Sequence, residues 1–389
     1  MYQRWSKSVA GADNACGCRK MGSCYLDRSL FSPVPDAVWD PKTKDRHRLS
    51  SFDVCGIGHA LVDIQYSVTP AKLEELGVDK GVMTLVDGET QRAIVAGLGA
   101  TPVNRASGGS AANTMITVAS FGGRAHYAFQ VGNDEWGAFY RNDLEAASVG
   151  SSPSASQPGD TGQCLVLVTP DADRTMNTFL GASATMGPHQ VDDAVIAGSR
   201  YVYLEGYLLT TQDGLAACRA AALAARRAQT LLSLTLSDPF VVGAFKANFE
   251  IIVDGGIDLL FCNEDEARAF TGLDDRTEAA AALADRVPRV CVTLGAEGTL
   301  IIDGDGAPQI VEGFDAQAID TTGAGDTFAG GVLYGLTHGL TLPQSAVLGN
   351  YGAAIVVSSI GPRLAAPLGD LIDDILARRA PPVTSSEVR

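Results

Sequence analysis

The chain has 389 residues, 46% hydrophobic and 19% charged, the profile of an ordinary globular protein with one large or two ordinary domains. A formal net charge of −16 excludes non-specific nucleic-acid binding, which needs a basic footprint, yet leaves room for an anion held by local glycine-rich backbone. No apolar run reaches the roughly 20 residues of a membrane span, no apolar h-region opens the chain, and Cys55, Cys164, Cys218, Cys262 and Cys291 are scattered singly through apolar segments, so the expectation is a cytoplasmic protein with buried thiols.

The first fifty residues stand apart. They hold nine Lys and Arg against five acids, so about +4 of charge sits there and the remainder carries −20. Cys16, Cys18 and Cys24 cluster in this stretch, without a clear fourth ligand or the usual CxxC spacing for a metal. Residues 1–50 are expected as a flexible extension and 381–389 as a tail. The ordered chain begins at "SFDVCGIGHALVDI" (51–64), a short apolar strand ending in small residues. Strand-like patches follow, "GVMTLVDG" and "QRAIVAGL", up to about residue 106. The stretch "GGSAANTMITVASFGG" (108–123) predicts a glycine turn feeding a helix of small and apolar residues. "AHYAFQVG" is a buried strand and "DEWGAFYRNDLEAASV" an amphipathic helix.

Residues 151–162, rich in Ser, Pro and Gly, predict a loop, and "QCLVLVTPDADRTMNTFLGAS" predicts two strands joined at "PDAD". Strands and helices then alternate: "YVYLEGY", a helix over 214–228, "LLSLTLS", a helix near 241–253, "LLFCN", a helix from Glu264, "RVCVTLG" and the final helices. That alternation predicts an α/β domain over 51–380, with a central, mostly parallel sheet and helices on both faces. The strand-only pieces, 61–106 and 159–182, do not fit it and are expected as a small β lid. In such sheets ligands sit beyond the carboxyl ends of the strands, and each motif below falls on a turn of that kind.

"GIGHAL" (56–61) begins like the dinucleotide fingerprint but has Leu61 at the third glycine position. In "NEDEA", Asn263 and Glu266 are three apart after a strand. They form a helix-capping box or a hydrated Mg2+ site near phosphates, and the sequence leaves both open. "TLGAEG" supplies Thr293, Gly295 and Gly298, a plain turn or a loop approached by a nucleotide. "DTTGAGD" (320–326) reads as a capped glycine turn or as an anion pocket. In the second reading the amides of Gly323, Ala324 and Gly325 and the helix macrodipole gather a phosphoryl group. Asp326 at the rim takes a proton from an incoming hydroxyl, late in transfer, because an ordinary carboxylate cannot ionise a free alcohol. No Walker loop occurs in the chain, so the amide hollow would replace it.

The pair "GGSAANTMITVASFGGRAHYAFQVGNDEWG" and "DTTGAGDTFAGGVL" resembles the two signatures of the PfkB/ribokinase family of sugar and nucleoside kinases, over about 52–367. Within it the adenosine kinase group is most similar, through "GIGHALVDI", "YLEGYLLT", "LSLTLSDPF" and "FCNEDEARAF". The resemblance implies a ribokinase-like fold, ATP and Mg2+ as cofactors, and a small-molecule nucleoside or sugar as partner. It implies Asp326 as base and Gly323, Ala324 and Gly325 as anion hole, with Arg174 of "DADRTMN" reaching the transferred phosphate. Asp63, Gly109 and Asn113 would bind ribose hydroxyls, Leu85 and Phe240 would flank the base, and Asn263 and Glu266 would serve Mg2+ and phosphate placement. A monovalent-cation loop, for K+, would run from Asp320 and Thr322 to about Gly361. His59 stands where animal relatives carry asparagine near the base, and Met83 replaces a polar residue there, which puts adenine selectivity in question. His59 reads equally as a packed histidine, and Phe240, after Pro239, as a core residue. "SSIGPRLAAP" also resembles the tail of inosine-guanosine kinases. The expected activity is ATP-dependent phosphorylation of a purine nucleoside 5′-hydroxyl, by a monomer or homodimer, with no nucleic-acid or membrane partner. A sugar kinase for ribose or fructose is the alternative. Catalytically silent relatives tend to lack the acid or the glycines, all present here.

Overall fold

The computed structural model describes residues 50–378 apart from 82, 153–155 and 172; the expected extension, its cysteine cluster and the tail lie outside the described residues. In chain order the strands are β1 (Phe52–Ile57), β2 (Leu61–Ser67), β3 (Met83–Leu85), β4 (Asn104–Gly108), β5 (Ala125–Ala128), β6 (Val131–Gly132), β7 (Val149–Ser151) and β8 (Ser156–Gln157). They continue as β9 (Thr161–Val168), β10 (Arg174–Gly181), β11 (Ser199–Leu204), β12 (Leu231–Thr235), β13 (Leu259–Asn263), β14 (Arg289–Thr293), β15 (Gly298–Asp303) and β16 (Gln309–Glu312).

Nine of these form one sheet in the order β16-β15-β14-β13-β12-β11-β1-β5-β7. From β7 to β14 every pairing is parallel, and only β15 and β16 run antiparallel at the far edge. The period-2 alternation of each strand feeds two cores, one per face. On β11, Tyr201 and Tyr203 enter one core while Val202 and Leu204 enter the other; on β13, Leu259 and Phe261 oppose Leu260 and Cys262. Helices Ser110–Ser120, Ala324–Thr337 and Leu342–Val357 cover the tyrosine face, and Gln212–Ala228 and Pro239–Asp254 cover the other. The α/β architecture with helices on both faces is as the sequence predicts.

The expected strand-only pieces supply a second sheet, β3-β10-β9-β2-β4. "QRAIVAGL" is no strand: it lies in the helix Gly88–Leu98, capped by Asp87, which accepts from Thr90 N, and closed by Gly99 at φ 57°. Its buried residues Gln91, Ile94 and Leu98 are three and four apart, a helical spacing that a short apolar patch hides when the Asp cap is overlooked. A further helix, Pro70–Leu76, starts after Thr69 with Pro at its first position, the favoured place for proline.

Where β11 ends, Glu205 turns into the core and is 1% exposed. It accepts from Ala111 N at 2.9 Å and His59 N at 3.4 Å, so one carboxyl joins the β1–β2 turn to the first turn of helix Ser110–Ser120. Burial pushes its pKa to about 8; the two backbone donors pull it down, and the nearby Asp326 charge pushes it up. A carboxyl raised in this way binds a proton in the folded chain that the unfolded chain releases near its ordinary value of 4.5. Its contribution to stability is therefore complete below about 4.5 and is lost as pH rises through about 8. Glu205→Gln is expected to make the fall of unfolding free energy with pH shallower by up to about 1.4 kcal/mol per pH unit. Urea titrations at several pH values between about 5 and 8 measure that slope. An unchanged slope means that Glu205 is ionised throughout.

Candidate active site

Two helix N-termini face each other beyond the carboxyl ends of the central strands, and both begin at glycine. Gly109, at φ 107°, caps helix Ser110–Ser120, and Gly323, at φ 77°, caps helix Ala324–Thr337; neither supplies a side-chain cap. Close approach as well as φ requires them. A Cβ on Gly109 would collide with the His59 carbonyl, and one on Gly323 with Pro362.

Asp326 stands on the first turn of the second helix, where the macrodipole favours an anion. Its carboxylate accepts from Ser110 Oγ at 2.6 Å and Asn113 Nδ2 at 3.0 Å, across from the opposing helix. It enters no ion pair among the described residues. Burial pushes it up to about 6, against the pull of the Ser110 and Asn113 hydrogen bonds. Asn113 is 5% exposed, and its Oδ1 is enclosed without a hydrogen-bond partner. Asp63, on β2, lies against Gly108, where a Cβ would strike its carboxyl group. Burial pushes Asp63 up to about 7; the Arg363 and Arg174 charges pull it down and Asp326 pushes it up, so the two carboxyls share one electrostatic neighbourhood.

Beside the second helix N-terminus opens a cavity of about 440 Å3. Thr293, Gly295 and Gly298, from the turn after β14, line it together with Ala324 and Gly325. Phe314, Ala353 and Val357 make its wall largely apolar. The Ala324 N–H itself bends back to Thr321 O at 3.3 Å, so it is less open than the rest of this turn. Asn263 and Glu266 form a complete capping box: Glu266 Oε2 accepts from Asn263 N at 3.0 Å, Oε1 from Asn263 Nδ2 at 2.8 Å, and Asn263 Oδ1 from Glu266 N at 2.8 Å. Burial and the charges of Asp238, Asp265 and Asp326 raise Glu266 to about 7, while the Asn263 backbone donor lowers it. Among the described residues no cluster of three or more His, Cys, Asp or Glu could ligate a metal directly.

Arg174 is held at the loop before the glycine turn: Nη1 donates to Thr322 Oγ1 at 2.7 Å and Nη2 to Asp320. Asp320 also accepts from Thr322 N at 3.0 Å and Gly361 N at 2.7 Å. A guanidinium already supplies the positive charge there. His59 is 3% exposed, with Nδ1 against Ser183 O at 3.1 Å and Ser183 Oγ at 2.9 Å and Nε2 enclosed without a hydrogen-bond partner. Burial holds it down at about 4, so it is neutral at ordinary pH. Phe240 is 52% exposed on the first turn of helix Pro239–Asp254, which removes it from the core. Leu85 is partly buried on β3, opposite Thr178, and Met83 is exposed. Ser110 was not anticipated, although its spacing of three from Asn113 places both on one face at a helix start.

Residues 94–368 match the pfkB family of carbohydrate kinases. The chain belongs to that family. The adenosine kinase of Saccharomyces cerevisiae is 29% identical over 326 residues, spanning 79% of this chain and 95% of its own length. A solved adenosine kinase from Sinorhizobium meliloti is 36% identical with a TM-score of 0.76, covering 84% of this chain and 99% of its own. A probable sugar kinase from Rhizobium etli is 33% identical, also with a TM-score of 0.76, covering 84% and 98%. The fold is thus ribokinase-like, and the protein is an ATP-dependent phosphotransferase acting on a hydroxyl group of a sugar or nucleoside. Among the described residues no helix is long and apolar enough to cross a membrane.

Because Ser110 stabilises the ionised form of Asp326, Ser110→Ala is expected to raise the pH at which turnover fails on acidification. A kcat–pH profile with any accepted hydroxyl substrate measures it. An acid limb that stays in place, or moves down, separates Asp326 from the rate.

Proposed function

We propose that this pfkB kinase moves the γ-phosphoryl group of ATP to the 5′-hydroxyl of a purine nucleoside, adenosine first. The observation that carries the reading is the Asp326 carboxylate, held by Ser110 and Asn113 beside an uncapped helix N-terminus and an apolar cavity. Two adenosine kinases among its relatives supply the choice of acceptor.

Asp326, raised to about 6, is a stronger proton acceptor than an ordinary carboxylate and takes the hydroxyl proton as the oxygen bonds to phosphorus. Backbone dipoles around Gly323–Gly325 hold the phosphoryl oxygens, where charge accumulates. The enclosed Asn113 Oδ1 and the Asp63 carboxylate accept from the ribose hydroxyls, which answers the unpartnered Asn113 oxygen. ATP lies in the cavity bounded by Thr293, Gly295 and Gly298, its base against Phe314 and Val357. Mg2+ fits this chain only as an ion carried by the phosphates and held through water. Both Glu266 oxygens are bonded to Asn263, while the crowding of Asp238 and Asp326 around Glu266 is of the sign a cation relieves. When bound it offsets phosphate charge. The second sheet acts as the lid, excluding water so that ATP is not hydrolysed. Leu85 on that sheet and exposed Phe240 flank the base.

A free-sugar kinase remains the second reading, because ribokinases also match, that of Haemophilus influenzae at 26% identity over 271 residues. ATP supplied with adenosine, inosine, guanosine, cytidine, ribose and fructose in turn separates the two, with adenosine expected to turn over best. Turnover of free sugars alone sinks the nucleoside reading. Asp326→Ala is expected to lower kcat by roughly 10² to 10⁴ with ATP binding by calorimetry nearly unchanged. A loss under tenfold removes Asp326 from the role of base.

A further inference from the structure

Residues Gly361, Pro362 and Arg363 touch both halves of the site. Gly361 N donates to Asp320 at 2.7 Å, and Pro362 packs on Gly323 so tightly that no Cβ fits there. Arg363 reaches the other way. Its Nη1 donates to Asp143 Oδ2 at 2.8 Å and its Nη2 to Ser107 Oγ at 2.5 Å, while its Nε is enclosed without a partner. Asp143, on helix Glu135–Ala146, also accepts from Ser107 N at 2.8 Å and Ser107 Oγ at 2.6 Å. Ser107 is the residue of β4 that leads into Gly108 and Gly109, and β4 pairs with β2 so that Ser107 lies opposite Val62, next to Asp63. Tyr140 of the same helix donates to Gly108 O at 2.8 Å.

One tripeptide therefore spans from the loop before helix Ala324–Thr337 to the glycine turn before helix Ser110–Ser120. We propose that Arg363 is a positioning residue for phosphoryl transfer, fixing the acceptor-side turn Ser107–Gly109 and Asp63 at a set distance from the phosphoryl-side loop Asp320–Gly323. This rests on the reading given above, in which Asp63 receives the acceptor and the glycines of 323–325 receive the phosphoryl group. The forked guanidinium suits the task, because two parallel donors to two acceptors define an orientation that a single ammonium does not. The groups facing Asp63 are Arg363, Arg174 from β10, Asp326, Tyr140, and Cys164 opposite it on β9. Of these only the two arginines favour its charged form, and Arg363 is the stronger influence.

Steady-state kinetics of the wild type, Arg363→Met and Arg363→Lys with ATP and the best acceptor, across about pH 5.5 to 9, test this. In Arg363→Met the acceptor kcat/KM is expected to fall about 10²-fold, the cost of a misplacement near 1 Å, while KM for ATP stays within about threefold. The acid limb of the acceptor kcat/KM is expected to move to higher pH, as Asp63 loses a favourable charge. Arg363→Lys keeps the acid limb in place and recovers part of the rate. Acceptor kcat/KM within about threefold of wild type in Arg363→Met overturns the proposal, as does an equal loss for ATP and acceptor with the limb unmoved, which describes a general prop. If Arg363→Met does not fold, Arg363→Lys decides: a loss confined to the acceptor supports positioning, and wild-type kinetics overturn it. A wild type that phosphorylates no acceptor at all refutes the assigned function, and is told apart from these outcomes by the wild-type control.

Discussion

Everything in the site follows from bringing carboxyl groups together out of water. Asp63, Glu205, Glu266 and Asp326 are all held well above the ordinary carboxylate range, each first by burial, and Asp326 adds to the shift of the other three. Desolvated like charges cannot all ionise in close company. The fold answers in three ways. Glu205 and Glu266 are given backbone N–H donors, Asp326 is given a hydroxyl and an amide, and Asp63 feels the charge of two guanidinium groups that are bonded to other residues. The group with neutral side-chain donors keeps a value of about 6, low enough to be ionised at neutral pH and high enough to receive a proton.

The backbone completes what the side chains begin. Two helices aim their N-termini at one space, and each starts with a glycine that a neighbouring chain segment crosses at contact distance. Replacing either glycine would separate the helix from the segment that packs on it, so the same positions that permit the turn also fix the spacing. The net charge of −16 is no obstacle to binding a phosphate here, because partial positive charge comes from peptide dipoles that composition does not count.

What could be read from the sequence divides along physical lines. "DTTGAGDTFAGG" announces its helix start because Gly323 and Asp326 are close in the chain, and the same holds for the capping box of Asn263 and Glu266. The β–α alternation from β11 to β14 is likewise local and appears as expected, whereas the antiparallel strands β15 and β16 that follow it depart from the expected run into the final helices. Ser110 carries no signal of its own in sequence, because its bond to Asp326 spans 216 residues. "QRAIVAGL" is ambiguous in sequence because its five apolar residues suit a strand as well as one face of a helix. The pairings of Arg174 and Arg363 within the chain could not be read at all. Their partners lie 146, 148, 220 and 256 residues away, and no local pattern carries a pairing over such a separation.

Those two arginines also explain how an anion loop and a separate sheet are kept in register. Arg174 belongs to β10 of the second sheet and donates to Asp320 and Thr322; Arg363 follows the last long helix and reaches Ser107 on β4 of that same sheet. Asp320, 7% exposed, accepts from Arg174 and from Gly361 N, so both ties meet at one carboxylate. A buried ion pair contributes little net stability when its desolvation is counted, but losing one partner leaves the other charge uncompensated. The energetic weight of Asp320 is thus conditional on the second sheet being in place: with Arg174 withdrawn, the buried carboxylate keeps only neutral donors. The same residue that shapes the start of the glycine turn therefore ties that turn to the second sheet.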